Sequence, residues 1–418
     1  MAKLKKRVKR KLLLIVFLLT VLLSFVYLKF ISSQNSSALK EKIEKIVEPE
    51  NPIKTYTAKL IATGDGIVHS GLYLAARNSA TNTYDFTGML TYTKEKLKDY
   101  DIKYYNQETV FDDSKAPVSY PRFNTPSAFG DAMIDAGFNM VSLASNHSLD
   151  VGGKSAKISA KWWEEKDEVL THGMASSEES RQNYQIMDAN GITYTLLSYT
   201  YGTNGLGASE INAEPFIVNL YNEEMVLKDI EAVRDKVDVL IVAMHWGNEY
   251  TQTATETQKN QAKFLAEHGV DIILGNHSHC IEPWEWIDDD TVVFYSFGNF
   301  ISNQMGANEA RVRKLGVVGM FGTLDITKTL DTRDNSVTIK IDNIGAELNY
   351  TYKYYDSSIS RYNYKVIPFS KMEDKYLNYY YQGSSLEKVY AEFSDVLKKY
   401  DDSINIEPLN LETEDSSN

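Results

Sequence analysis

Val237–Tyr250 reads VDVLIVAMHWGNEY, and Val270–His279 reads VDIILGNHSH. Each is an apolar run that leads into a histidine-bearing segment: Val237–Met244 into HWGNEY, and Val270–Leu274 into GNHSH. Two other runs do the same. Phe138–Ala144 leads into SNHSLD at Ser145–Asp150, and TAKLIATGD at Thr57–Asp65 leads into GDGIVH at Gly64–His69. Continuous apolar runs of this length fit strands buried on both faces. The chain has seven histidines in 418 residues, and five of them fall in these four segments. Imidazoles beside Asp, Asn and Glu at strand ends are what a divalent-metal site requires.

Between these runs the apolar period changes to that of helices. Asn124–Ala136 reads as a helix, with Pro126 in its first turn and Gly137 past its end. Lys154–Lys166, Tyr221–Lys236 and Thr255–His268 read the same way, the last stopped by Gly269. Tyr194–Ser198 and Thr291–Phe297 are further strands. Helices alternating with apolar strands predict an α/β protein with buried sheets, and ligands in such sheets gather at the carboxyl ends of the strands. Residues 78–122 read as insertions and loops around one strand near Ile102–Tyr105. After Gly316, VVGMFGTLDIT and SVTIKIDNIGAEL alternate, which predicts antiparallel strands completing the sheets. Residues 384–400 read as a surface helix, and NLETEDSSN as a frayed acidic tail.

The chain opens on MAKLKKRVKRK, with seven Lys or Arg, followed by the uncharged run Leu12–Leu28. Basic residues before a span predict a cytoplasmic N-terminus and an external C-terminal bulk, held by an uncleaved signal anchor, the alternative being a cleaved signal peptide. The expected layout is a basic segment at 1–11, a transmembrane anchor at 12–30, a linker at 31–56, a folded domain at 57–380, and a helix with an acidic tail at 381–418. The formal net charge is −13; without the seven N-terminal cations and Lys29 it is −21. Nucleic acid is therefore not an expected partner. The single cysteine, Cys280, excludes an intramolecular disulfide and a cysteine-based zinc site.

The residue types suggest roles. Asp65 and Glu108 supply carboxylates, Asn146 an amide oxygen, and His245, His277 and His279 imidazoles, a mixed set suited to two divalent ions of the Mn, Fe or Zn kind. His277 and His279 stand two apart, so at strand spacing they share a face. His147 is the candidate general acid or anion contact, and Asp150 either orients a histidine or caps the following turn. His69, Glu249 and Asn299 are candidates for the substrate side, Asn299 also as a group that orients the site. Trp246, Trp284 and Trp286 line a cleft or pack the core. Two such ions support hydrolysis at a phosphoryl or similar tetrahedral centre.

The ordered run GD…H, NQET, SNHSLDVG, HWGNEY, GNHSHCIEPWEW and YSFGNFISNQ resembles the CapA family of capsule synthesis, also called the PgsA family of poly-γ-glutamate synthesis, across roughly residues 58–305. That family is similar in fold to the calcineurin-like metallophosphoesterases. The resemblance implies a four-layer α/β/β/α sandwich with a dinuclear-type site. It implies a membrane-anchored surface protein that works with polymer synthase or export components on poly-γ-glutamate or a related anionic envelope polymer. Position by position, Asp65 matches the first acidic motif, Glu108 stands where the superfamily has a bridging Asp, and Asn146 with His147 matches the asparagine–histidine motif. His245 matches the single-histidine motif, and His277 with His279 the final pair. Three departures stand out: Ile67 occupies the place of a superfamily histidine, with His69 the nearest one, Glu replaces Asp at 108, and Asn276 stands where a small residue followed by His-x-His is common. The alternatives to a metal-dependent hydrolase are a non-catalytic scaffold of a polymer synthase complex and a free-standing surface phosphoesterase.

Overall fold

The computed structural model describes residues 2–46, 52–304, 310–358, 360–377 and 380–410. It divides into two compact units: the residues up to Lys54 together with Leu330–Ser336, and Thr55–Thr329 together with Val337 onward.

The first unit holds one long helix, Ala2–Ile46. Within it, Leu13–Gln34 spans 22 residues with a mean hydropathy of 2.6 and none of it buried. At 1.5 Å per residue this length reaches about 33 Å, enough to cross a bilayer's hydrocarbon core. The helix continues through most of the segment expected to be a linker, because ALKEKIEKI is built largely of strong helix formers. Residues 47–51 lie outside the described set. In the same unit, Thr332 donates from its backbone N–H (2.8 Å) and its hydroxyl (3.0 Å) to the carbonyl of Pro52.

The second unit is built on two sheets. One has nine strands, in the order Arg361–Pro368, Ser336–Asp356, Val318–Asp331, Ile53–Gly66, Ile102–Gln107, Met140–Ser142 and Leu170–His172, with Asn299–Ile301 beside the Ile53–Gly66 strand and Asn405–Ile406 beside Ser336–Asp356. From Ile53–Gly66 to Leu170–His172 it is parallel. The other has six strands, in the order Trp284–Trp286, Val292–Phe294, Ile272–Asn276, Val239–His245, Ile192–Thr200 and Met187–Ala189, with four parallel central strands and an antiparallel strand at each edge.

The apolar runs are continuous because both faces of the six-stranded sheet are covered. Val239, Ile241 and Ala243 point into the large core shared with the nine-stranded sheet. Leu240, Val242 and Met244 point the other way, against Val226, Ile230 and Val233 of helix Glu223–Val233 and Ala262 and Leu265 of helix Glu256–Glu267. On the far side of the nine-stranded sheet lie helices Ala128–Ala136 and Gly153–Glu164, which contribute Phe129, Met133 and Trp163 to its core. The result is the expected four-layer α/β/β/α sandwich.

Local departures have local causes. The helix expected from Asn124 begins at Ala128, because Asn124 gives its side-chain amide to the carbonyls of Asp112 and Ala116. Residues 78–122 contain the helix Thr91–Lys96 as well as loops. The strands Leu170–His172 and Trp284–Trp286 are three residues long, too short to show a period. Helix Leu386–Leu397 is amphipathic, and it buries Leu386, Val389, Phe393 and Leu397. The tail expected at NLETEDSSN lies, after Asn410, outside the described residues.

Two residues behind the strand ends give tests of this packing. A Cβ on Gly64 would sit 1.8 Å from the Gly298 carbonyl oxygen. That same oxygen accepts the Asp65 N–H at 3.0 Å. Gly64→Ala is expected to force these strands apart, lowering stability by about 1–3 kcal/mol in urea unfolding. Unchanged unfolding would contradict the close approach.

Glu282 is fully buried, and one carboxylate oxygen accepts from Gln258 Nε2 at 2.7 Å while the other has no hydrogen-bond partner. Burial pushes its carboxyl up to about 8 from an ordinary 4.5. The folded state thus holds a proton that the unfolded state gives up, and stability falls as pH rises from 4.5 to 8. Glu282→Gln mimics the protonated form. It is expected to match the parent near the lower pH and to exceed it increasingly toward the upper one, by at most roughly 4–5 kcal/mol. A stability gap independent of pH would refute this.

Candidate metal centre

Register brings the polar strand ends to one level. In the nine-stranded sheet, Asp65 pairs with Asn299 on one side and Asn106 on the other; Asn106 pairs with Ser142, and Ser142 with His172. In the six-stranded sheet, Thr200, His245 and Asn276 are aligned in the same way. The loops that leave these ends carry the remaining groups. Ser145 ties two of them together: its hydroxyl donates to the Glu108 carbonyl at 2.6 Å and accepts the His147 N–H at 3.1 Å.

Asp65, Glu108 and His279 converge, with one potential ligand atom from each lying within 4.8 Å of the others, all buried. His279 Nδ1 lies 3.1 Å from Asp65 Oδ2 and 3.0 Å from Asn299 Oδ1, which turns Nε2 toward Glu108, 3.6 Å away. Among the described residues neither carboxylate oxygen of Glu108 has a hydrogen-bond partner, although the residue is 1% exposed. Burial raises its carboxyl well above the usual range, and the negative charges of Asp65, Glu249 and Asp150 add to this while His279 opposes it. Burial pulls the His279 imidazolium down, but Glu108 and Asp65 outweigh this and hold it up at about 10. A buried carboxylate with two orphan oxygens beside a second carboxylate and an imidazole fits a divalent cation.

Asn146, His245 and His277 form a second group. His245 Nε2 lies 2.9 Å from Asn146 Oδ1, and its Nδ1 lies 3.3 Å from Asn106 Nδ2. Asn106 also donates to Asp65 Oδ1 at 2.8 Å, so its amide nitrogen faces His245 and the His245 proton sits on Nε2. The His277 ring centroid is 4.8 Å from that of His245 and 6.0 Å from that of His279, and its Nδ1 has no partner. Burial, then the neighbouring His279 and His147, lowers His277 to about 3. Burial likewise lowers His245 well below its ordinary value. Both imidazoles are neutral at physiological pH, the form that binds metals.

His277 and His279 do not share a strand face. The strand ends at Asn276, and the two histidines follow it in a turn with φ of +96° and +55°. Left-handed backbone at non-glycine residues stores strain, and here it aims both rings into one pocket. His147 Nδ1 lies 2.7 Å from Asp150 Oδ2, which leaves Nε2 facing Glu108 Oε1 at 3.8 Å. Asp150 thus positions His147, and it also accepts the Phe123 N–H at 2.7 Å.

The three residues read as substrate-side sit differently. Asn299 is buried; its amide donates to Gln304 Oε1 and to the Gly316 carbonyl, and its oxygen meets His279. That geometry positions His279. His69 is also buried, with its ring edge-on to Phe123 (centroids 5.2 Å apart) and its Nδ1 3.2 Å from the Asn303 N–H; burial first of all lowers it to about 3. Glu249 is exposed on the loop after His245, and its charge reaches both Glu108 and His279. Trp246 and Trp284 are buried core residues, and Trp286 is half-buried. Sequence reasoning passed over Asn106, Tyr201 and Tyr250. Asn106 stood in the NQET motif, at a strand end, beside the Glu108 that drew attention. Tyr201 packs 4.6 Å from His277 and Tyr250 5.9 Å from His279, contacts made between loops that no local pattern marks.

Comparison with known proteins gives the lineage. The chain is 30% identical over 177 residues to the capsule biosynthesis protein CapA of Bacillus anthracis, covering 41% of this chain and 42% of that one. It is 28% identical over 170 residues to the PGA biosynthesis protein CapA of Bacillus subtilis (strain 168), covering 41% and 44%. The match thus spans less than half the length of these curated relatives. Among solved structures, the calcineurin-like phosphoesterase YfkN of Bacillus subtilis overlaps 81% of this chain and 100% of its own, at 12% identity and a TM-score of 0.40. A phosphatase of Mycoplasma pneumoniae overlaps 69% and 94%, at 15% identity and a TM-score of 0.39. Likenesses at this level assign neither chemistry nor substrate. The sequence profile described as "Bacterial capsule synthesis protein PGA_cap" matches residues 59–304, more than half of the chain, and the chain belongs to that family.

Proposed function

We propose that this chain is a membrane-anchored protein of capsule assembly, with a metal-dependent, hydrolase-like site on the outer side of the membrane. The observation that carries the reading is the buried Asp65–Glu108–His279 group with both Glu108 oxygens unpartnered. The apolar helix behind a polybasic start supports the anchor and its orientation. The capsule and PGA names of the Bacillus relatives support poly-γ-glutamate, or a related anionic envelope polymer or phosphoester, as the material handled, together with polymer synthase or export components as partners.

In this reading Asp65, Glu108 and His279 would hold one divalent ion, and Asn146, His245 and His277 would hold a second. Ions of the Mn, Fe or Zn kind, when bound, supply an activated water and neutralise charge on a tetrahedral centre. The chain's own residues do the rest. Asp150 accepts the His147 Nδ1 proton and fixes the tautomer, so that Nε2 exchanges a proton with substrate beside Glu108. Asn299 and Asp65 do the same for His279. Asn106 fixes Asp65 and His245 together.

A second reading, a scaffold without catalysis, draws on two observations. The His245 proton already satisfies Asn146, and Ile67, 2% exposed, offers no ligand where the superfamily has a histidine. Elemental analysis of the purified full-length chain separates the two. A metal-holding site is expected to retain between about one and two equivalents of divalent metal, and the double substitution His277→Ala with His279→Ala to remove most of it. Metal well below one equivalent, unchanged by that double substitution, would favour the scaffold. His147→Ala is expected to keep the metal and lower hydrolysis of a generic phosphodiester by about 10²-fold or more. An unaffected rate would remove His147 from the mechanism.

A further inference from the structure

Two arginines flank the pocket and have no part in the chemistry just described. Arg122 lies on the arm 118–124, which is fixed at several points. Val118 and Asn124 exchange backbone hydrogen bonds of 3.1 Å, and Ser119 Oγ accepts the Ser70 N–H at 3.0 Å. The Phe123 N–H donates to Asp150, and the Phe123 ring packs edge-on against His147, with centroids 4.8 Å apart. Arg122 itself is exposed and makes no hydrogen bond or ion pair among the described residues. A rigid arm thus presents an unpaired guanidinium one residue from a side chain that touches His147.

Arg311 stands on the other flank. It is exposed on the short helix Ala310–Leu315 and donates through Nη2 to the Tyr250 carbonyl at 2.8 Å. Tyr250 in turn gives its N–H to the Ser278 carbonyl at 2.7 Å and faces His279. Tyr120, 77% exposed on the arm, lies close enough to Tyr250 for the two phenols to feel each other's charge. The arm thus reaches the site through Phe123 at His147, and the Tyr250–Arg311 flank reaches it through Tyr250 at His279.

Arg122 and Asp150 also border a shallow surface groove of about 640 Å³, together with Ser119, Gly152 and Glu210. That volume falls in the range that holds a small ligand. Lys115 lines it too, but its ammonium is already engaged by Ser155 Oγ (2.6 Å) and the Val151 carbonyl (3.1 Å). In a chain whose portion after Lys29 carries −21, these two exposed guanidinium groups are cations beside a pocket rich in carboxylates.

We propose that Arg122 and Arg311 clamp a polycarboxylate chain over Glu108, His147 and His279, and that Arg122 directs its continuation along the surface groove bordered by Asp150. This rests on the capsule-polymer reading above. The planar guanidinium fork pairs with a carboxylate through two parallel hydrogen bonds, a fit that an ammonium lacks. Both arginines are positioning residues for substrate, and the exposed Glu249 opposes them.

The test uses the full-length chain in lipid nanodiscs and a short fluorescein-labelled oligomer of γ-linked glutamate, read by anisotropy over a salt series. Arg122→Gln and Arg311→Gln are each expected to weaken binding about tenfold and to flatten its salt dependence. Arg122→Lys is expected to recover only part of the loss, and Glu249→Gln to tighten binding. Arg333→Gln, whose guanidinium pairs with Asp331, is the control. The proposal is overturned by unchanged affinity in both arginine variants, by an equal loss in the Arg333 control, or by inorganic polyphosphate binding as tightly as the glutamate oligomer. Elemental analysis keeps the two readings apart. A chain that holds no metal but binds the oligomer through the arginines sinks the metal centre and leaves this clamp; a metal-loaded chain indifferent to the arginines does the reverse.

Discussion

Asp65 and Glu108 place two carboxylates beside one imidazole, all three buried. Little else about the site makes physical sense without that constraint. Like charges at this spacing in a poorly solvated place repel, and a carboxylate with two orphan oxygens is costly unless a proton or a cation joins it. His279 supplies part of the missing positive charge, which is why its imidazolium persists to about 10. The surrounding groups are arranged to hold this cluster rather than to relieve it. Asn106, Asn299 and Asp150 each use their hydrogen bonds to fix an acid or an imidazole in place.

The sheets make such an arrangement possible. Parallel strands end together at one edge, and the register carries Asn299, Asp65, Asn106 and Ser142 across one sheet at one level, with Thr200, His245 and Asn276 across the other. The glycine at 64 allows backbone to approach backbone where a methyl group would collide. The strained turn at His277 and His279 then bends two rings inward. A rigid, doubly covered scaffold tolerates this strain because its cores on either side of the six-stranded sheet are independent of it.

Family membership and geometry speak to different levels. The family ties the chain to bacterial capsule synthesis, and the geometry adds a pocket whose donors suit divalent ions. Ile67 and the His245–Asn146 hydrogen bond mark where this chain departs from a plain two-ion arrangement. The arginines at the rim sit outside the histidine motifs altogether, on an arm and a short helix that the metal-type residues do not predict.

Much was legible in the linear chain, and the reason is periodicity. Apolar runs such as Val237–Met244 announced buried strands, the spacing in Thr255–His268 announced a helix stopped by Gly269, and the histidines stood at the strand ends. The apolar span after a basic start was equally plain. What the linear chain withheld was everything set by contact between distant segments. Three-residue strands carry no period, Asn124 delayed a helix through bonds to Asp112 and Ala116, and His277 with His279 met through a left-handed turn instead of a strand face. Residue types and their order singled out the acidic and histidine side chains that gather at the strand ends. Only tertiary structure decided that Glu108 is left unpaired and that His147 is held by Asp150, because burial and hydrogen-bond partners belong to the folded chain and not to any stretch of it.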